Sequence, residues 1–141
     1  MSFTFDPRGR FVLVQAIVVG SKRVLQARLA LDTGATITQL APWVLEEVGS
    51  PPPVARTFPV ATAGGMVFVA ETRVARVQAL GVTLANFRVL SHALPPATKL
   101  DGLLGLDFLR ERLLQTDFRR GRVRLRRPWR WPWSARRDSA Q

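Results

Sequence analysis

The sequence predicts an all-β domain carrying one or two short helices, and three observations predict it. Short apolar runs rich in Val, Ile, Leu and Phe recur along the chain, several of them alternating with polar residues as a half-buried strand does. Gly and Pro punctuate these runs at Gly20, Pro51 to Pro53, Gly64-Gly65, Gly81, Pro95-Pro96 and Gly121. Only two stretches, 41–49 and 106–112, read as helix.

Phe11 to Val19 is β-branched and apolar, and Gly20-Ser21 is a turn signal. Val24 to Leu31 then alternates Gln26 and Arg28 with Leu25, Ala27, Leu29 and Leu31, so the pair reads as a hairpin whose second strand runs into Asp32. Thr36 to Leu40 is expected to be extended. Ala41 to Gly49 reads as a short helix, with Pro42 in its first turn and Gly49 as its C-terminal stop. Ser50-Pro51-Pro52-Pro53 is a stiff connector.

A second hairpin spans Arg56 to Val77, with its tip at Ala63-Gly64-Gly65. Leu80 to Leu84 and Phe87 to Leu90 continue the strand pattern around a Gly turn. Ser91 to Lys99 is a loop; it holds the sole histidine, His92, which has no partner cluster in the sequence and receives no role. Leu103-Leu104-Gly105 is an apolar run closed by a glycine, and Leu106 to Arg112 follows as a short helix. The pattern closes with Leu114 to Phe118, a turn at Arg119-Arg120-Gly121, and the strand Arg122 to Arg126, whose Val123 and Leu125 face opposite to its arginines.

The segment that organises these elements is Leu29 to Leu40. An apolar strand enters Asp32-Thr33-Gly34-Ala35, which sets one carboxylate at the tip of a buried strand where Gly34 lets the backbone turn sharply. Ala30-Leu31-Asp32-Thr33-Gly34-Ala35 resembles the active-site motif of the retroviral-type aspartic proteases, the retropepsin-like family. The Gly-tipped hairpin and the Leu103-Leu104-Gly105 element with its helix follow in the order that family shows. The resemblance implies a single-lobe acid protease barrel in which Asp32 is catalytic, supported by Thr33, Gly34 and Ala35. It implies that Ala63, Gly64 and Gly65 form the tip of a flap over bound peptide. It also implies that Leu103, Leu104 and Gly105 pack behind the Asp32 loop, where the glycine allows a close approach.

Length constrains this further. A two-lobed enzyme with two such motifs needs a chain of more than about 300 residues, whereas this one has 141 residues and one motif. The second carboxylate is therefore expected from a second copy in a two-fold homodimer. Viral members pair an Asp soon after their Asp-Thr-Gly-Ala with an Arg after their Ile-Ile-Gly element. Here Thr36 and Ile37 occupy the first region and Leu106 the second, so both partners are absent together and no buried charge is stranded. This likens the chain to cellular, bacterial-type members.

The implied reaction is peptide-bond hydrolysis on a peptide or protein substrate, without metal or cofactor. Two alternatives of other classes compete: a catalytically silent protease-like module that dimerises and binds peptides, and a basic β-protein that binds nucleic acid or membrane. The intact Asp-Thr-Gly-Ala counts against the first, and the motif constellation is unexplained by the second.

The composition, 47% hydrophobic and 22% charged, suits one globular domain, and the absence of Cys excludes disulfides, thiolate metal sites and a Cys nucleophile. The N-terminal residues lack the pattern of a signal peptide, and no uncharged run is long enough to span a bilayer, so a cytoplasmic location is expected. Charge is uneven. Residues 1–118 hold twelve Lys plus Arg against nine acids, whereas residues 119–141 hold nine Arg against Asp138 alone, which makes that end +8 of the total +11. The expected organisation is a protease domain over residues 1–127 and a Pro-broken, Trp/Arg-rich tail over 128–141. That tail is suited to an anionic membrane surface or single-stranded nucleic acid.

Overall fold

The computed structural model describes residues 1–53 and 58–127. The strands are β1 (Phe3–Thr4), β2 (Leu13–Val19), β3 (Val24–Leu31), β4 (Gln39–Leu40), β5 (Phe58–Thr62), β6 (Gly65–Ala79), β7 (Val82–Ser91), β8 (Gly102–Leu104), β9 (Leu113–Asp117) and β10 (Arg122–Arg126). Two short helices join them, α1 (Pro42–Val48) and α2 (Leu106–Leu109).

Strands β2, β3, β8, β4, β7 and β6 are hydrogen-bonded in that order, and β6 returns to pair with β2 through Ile17↔Gln78, Val18↔Val77 and Val19↔Arg76. The sheet therefore closes into a barrel, which leaves no edge among these six strands. Alternation along β2 turns Val14, Ala16 and Val18 inward while Gln15 and Ile17 face out. Along β6 the alternation buries Thr72 and Val74 and then, after exposed Ala75 and Arg76, resumes one residue out of phase with Val77 and Ala79. Phe108 of α2 is fully buried in this core, edge-on to Phe87 with ring centroids 6.0 Å apart. A three-stranded sheet, β1-β10-β9, adds Val123 and Leu125 to the same core.

Helix α1 starts at Pro42, where the missing N–H is not needed, and stops at Gly49, whose left-handed φ of 78° turns the chain. Strand β6 has fifteen residues because it serves two structures. Its first part, Gly65 to Val69, pairs with β5 as a hairpin, exposed from Gly65 to Phe68; from Ala70 onward it pairs with β7 in the barrel.

The expected elements are present with differences of extent, the runs Leu80 to Leu84 and Phe87 to Leu90 joining in the single strand β7, and β1 is an addition to them. Helix α2 ends at Leu109 instead of Arg112, because Arg110 returns to an extended conformation and Glu111 takes a left-handed φ of 63°, which redirects the chain into β9. The segment after Ala35 is extended only at Gln39–Leu40; Thr36 and Ile37 bend so that the carbonyls of Ala35 and Thr36 accept the N–H groups of Leu106 and Asp107 at 2.8 and 3.2 Å. The loop after β7 contains one 3-10 turn, Pro96–Thr98. The expected Trp/Arg-rich tail, 128–141, lies outside the described residues. Among the described residues no helix is long and apolar enough to cross a membrane.

Candidate active site

Strand β3 pairs in parallel with β8, matching Leu29, Ala30 and Leu31 with Gly102, Leu103 and Leu104. The pairing continues one residue further, since Asp32 N–H donates to the Leu104 carbonyl at 3.0 Å. Asp32 therefore leaves the barrel fixed through its backbone. The chain turns at once: Ala35 N–H donates to the Asp32 carbonyl at 3.2 Å, and Gly34 N–H donates to Asp32 Oδ1 at 2.8 Å. A backbone donor aimed at the carboxylate holds its rotamer.

The apolar element behind this turn divides its residues by alternation. Leu104 is fully buried in the core, while Leu103 is half-buried and faces the cleft in front of Asp32. Gly105 is there for space. A Cβ on it would stand 2.7 Å from the Ala35 carbonyl oxygen, 2.9 Å from the Ile37 carbonyl carbon and 3.0 Å from the Thr38 nitrogen, all of them main-chain atoms.

A cleft of about 860 Å³ opens over Asp32. Asp32, Gly34, Ala35 and Thr36 form its floor together with Leu103. The β5–β6 hairpin forms one wall through Phe58, Val60 and the tip residues Ala63 and Gly64, and the segment from His92 to Pro96 forms another. Of the expected tip residues, Gly65 does not line the cleft. It supplies the turn itself, with φ of 118° and its carbonyl accepting the Thr62 hydroxyl at 2.8 Å. Thr33 and Gly34 are exposed, whereas Ala35 is buried against the loop's support.

Two features were not visible in the sequence. The loop holding His92 is a cleft wall, and His92 is, with Asp32, one of two ionisable residues among the described residues that line it. No local signal distinguishes such a loop from an ordinary surface one. The second is Asp107, which follows Gly105 by two residues and bonds back to Thr38. A contact across 69 residues leaves no mark in spacing. Among the described residues, no three His, Asp or Glu side chains converge in the manner of a metal site.

A closed six-stranded barrel, an Asp-Thr-Gly turn held from behind by an apolar-apolar-Gly strand, and a hairpin arching over a cleft together define a retropepsin-like acid protease fold. The comparisons agree. The family model described as "gag-polyprotein putative aspartyl protease" matches residues 20–111, and the chain belongs to that family. A retropepsin-like aspartic protease from Rickettsia conorii shares the fold with a TM-score of 0.64 at 19% identity, over 89% of this chain and 91% of the other. The EIAV protease, solved with the inhibitor HBY-793, gives a TM-score of 0.57 at 18% identity, over 77% of this chain and 92% of that one. A comparison with curated proteins found no match.

Proposed function

We propose that the chain is an aspartic endopeptidase whose active unit is a homodimer, with Asp32 of each copy contributing one half of the catalytic pair. The observation that carries this reading is the position of Asp32: its carboxylate stands at the end of a buried strand, on the floor of a cleft of about 860 Å³, beneath a glycine-tipped hairpin. The sequence contains one such motif, so a second copy supplies the other carboxylate across a two-fold axis.

Two carboxylates a few ångströms apart cannot both be ionised, so the pair holds one proton between them. The ionised member removes a proton from a water molecule as that water attacks the peptide carbonyl carbon. The neutral member gives its proton to the carbonyl oxygen. The tetrahedral diol then collapses: one of its hydroxyls returns a proton to the ionised carboxylate as the carbonyl reforms, the nitrogen takes the proton of the neutral carboxyl as the C–N bond breaks, and the products leave as acid and amine with the pair again holding one proton. The Gly34 N–H keeps the carboxylate in place, Thr33 ties the two loops through its hydroxyl, and the hairpin tip at Ala63 and Gly64 closes over the substrate and excludes water.

The walls favour apolar substrate side chains. Ile37, Phe58, Val60, Leu90, Leu94 and Leu103 line the cleft, and burying one such substrate side chain contributes about 1.5–3 kcal/mol.

The test is cleavage of a mixed peptide library by wild type and Asp32→Asn, with the products sequenced. Hydrolysis by the wild type, none by a folded Asp32→Asn, and inhibition by a statine-type diol mimic are expected. Cleavage that survives in pure Asp32→Asn protein would overturn the assignment.

A further inference from the structure

Away from the cleft, the outward face of the β1-β10-β9 sheet carries a row of charge that hydrolysis does not use. Strand β10 buries Val123 and Leu125 and turns Arg122, Arg124 and Arg126 outward. The register sets Thr4 and Asp117 on either side of Arg122, Gln115 beside Arg124 and Leu113 beside Arg126. Residues two apart on an antiparallel strand are about 6.8 Å apart, so the three guanidinium groups form a line about 14 Å long on the middle strand.

Among the described residues this charge is uncompensated. Asp117 is the carboxylate beside the row, and it is already engaged by the turn that follows it, accepting the N–H groups of Arg119 and Arg120 at 3.0 and 2.9 Å and the Arg120 guanidinium at 3.2 Å. None of Arg122, Arg124 and Arg126 forms an ion pair among the described residues. Beside Arg122 and Arg124 lies a concavity of about 230 Å³, lined also by Ser2, Gln115, Asp117, Arg120 and Val123. It is large enough for a phosphate group and offers it a hydroxyl, an amide and guanidinium forks, with the one carboxylate on its wall, Asp117, paired with Arg120.

We propose that this face binds the phosphodiester backbone of a single nucleic-acid strand. A straight row of fixed cations complements a linear polyanion, and the planar guanidinium matches two phosphate oxygens at once. An anionic membrane presents a plane and rewards apolar side chains that insert among the cations. Here Leu113 is the exposed apolar side chain in register with the row, and the other neighbours, Thr4 and Gln115, are neutral hydrogen-bonding groups suited to phosphate and sugar oxygens. The face lies on the opposite side of its sheet from the core, so it is independent of the cleft and of Asp32.

The test uses the full chain and a labelled oligothymidylate, with binding followed by fluorescence anisotropy across a salt series. Each phosphate neutralised on a single strand contributes about −0.7 to the slope of log K against log salt. Arg122→Gln/Arg124→Gln/Arg126→Gln should therefore flatten the wild-type slope by about 2. Removal of three charges elsewhere, by Arg28→Gln/Arg73→Gln/Arg76→Gln, should leave the slope within about half a unit of wild type. Circular dichroism checks that each variant is folded; if the triple variant is not, Arg124→Gln alone should flatten the slope by about 0.7. Equal slopes for the row variant and the control would overturn the proposal and place any binding on residues 128–141. Absence of oligonucleotide binding at low salt, or binding only to phosphatidylserine vesicles, would overturn it as well.

Discussion

The buried hydroxyl of Thr38 donates to Asp107 Oδ1 at 2.7 Å and accepts the Gly105 N–H at 3.1 Å, so one side chain joins the segment leaving the Asp32 turn to the strand and helix behind it. The same carboxylate oxygen accepts the N–H groups of Thr38 at 3.0 Å and Phe108 at 2.9 Å. The salt bridge that viral members build between these regions is absent in sequence, and a hydrogen-bonded Thr–Asp pair performs the tie here. Asp107→Ala would leave two buried Thr38 donors without a partner, which costs about 2–3 kcal/mol, whereas Asp107→Asn keeps an acceptor and should cost about 1. Urea unfolding of the two variants measures the difference. Equal losses would mean that the carboxylate oxygen is not the group holding the loop.

Gly105 and Gly64 should respond differently to the same methyl group. At Gly105 the new Cβ meets main-chain atoms of Ala35, Ile37 and Thr38 within 3.0 Å, and none can rotate away. Gly105→Ala is expected to cost about 1–3 kcal/mol as overpacking and to displace the Asp32 turn, with a large loss of hydrolysis. At Gly64 the nearest atom is Thr62 Oγ1 at 3.9 Å. Gly64→Ala should unfold at the wild-type urea midpoint. A Gly105→Ala protein as stable and active as wild type would refute this account of the element.

The contrast between these residues marks how far the sequence could be read. Strand β3, its delivery of Asp32, the glycine-tipped hairpin and helix α1 follow from local alternation and turn chemistry, because each is decided by residues within a few positions of one another. Leu103 and Leu104 were recognisable as support, and the structure sends them to opposite sides, one to the cleft and one to the core. Asp107 and the His92 wall depend on pairing between segments far apart in sequence, β4 with β8 and β7, which no local pattern encodes. The end of α2 was misplaced for a related reason. Leu106 to Arg112 has helical character, but the chain must reverse at Glu111 to let β9 reach β10, and that tertiary demand overrides propensity.

Asp117 gives a pH dependence with a definite sign. The backbone N–H of Arg120, then its guanidinium, and the N–H of Arg119 hold this carboxyl below its ordinary value near about 3.9. A group whose folded pKa is depressed adds stability above its unfolded pKa and loses it as pH falls through the folded value. The stability difference between wild type and Asp117→Asn should therefore be constant from neutral pH down to about 5 and shrink below about 4. Because the carboxylate is exposed, the difference should be small and should diminish with added salt. A difference that grows on acidification would reverse the sign and reject the interpretation.

The proposed homodimeric site makes a prediction that no monomeric enzyme shares. If each active centre takes one Asp32 from each copy, a heterodimer of wild type with Asp32→Asn has one carboxylate and cannot hold the shared-proton pair. Mixing wild type with about a tenfold excess of Asp32→Asn, and allowing subunits to exchange, should leave about a tenth of the wild-type activity, because most wild-type chains then face an inactive partner. Dilution of wild type alone should lower its activity per chain once the concentration passes below the dimer dissociation constant, and a substrate-like inhibitor should oppose that loss by binding only the dimer. Sedimentation measured over the same concentrations must show the matching change in mass. Constant activity per chain where the protein sediments as a monomer would reject the shared site, even if Asp32 itself proved essential.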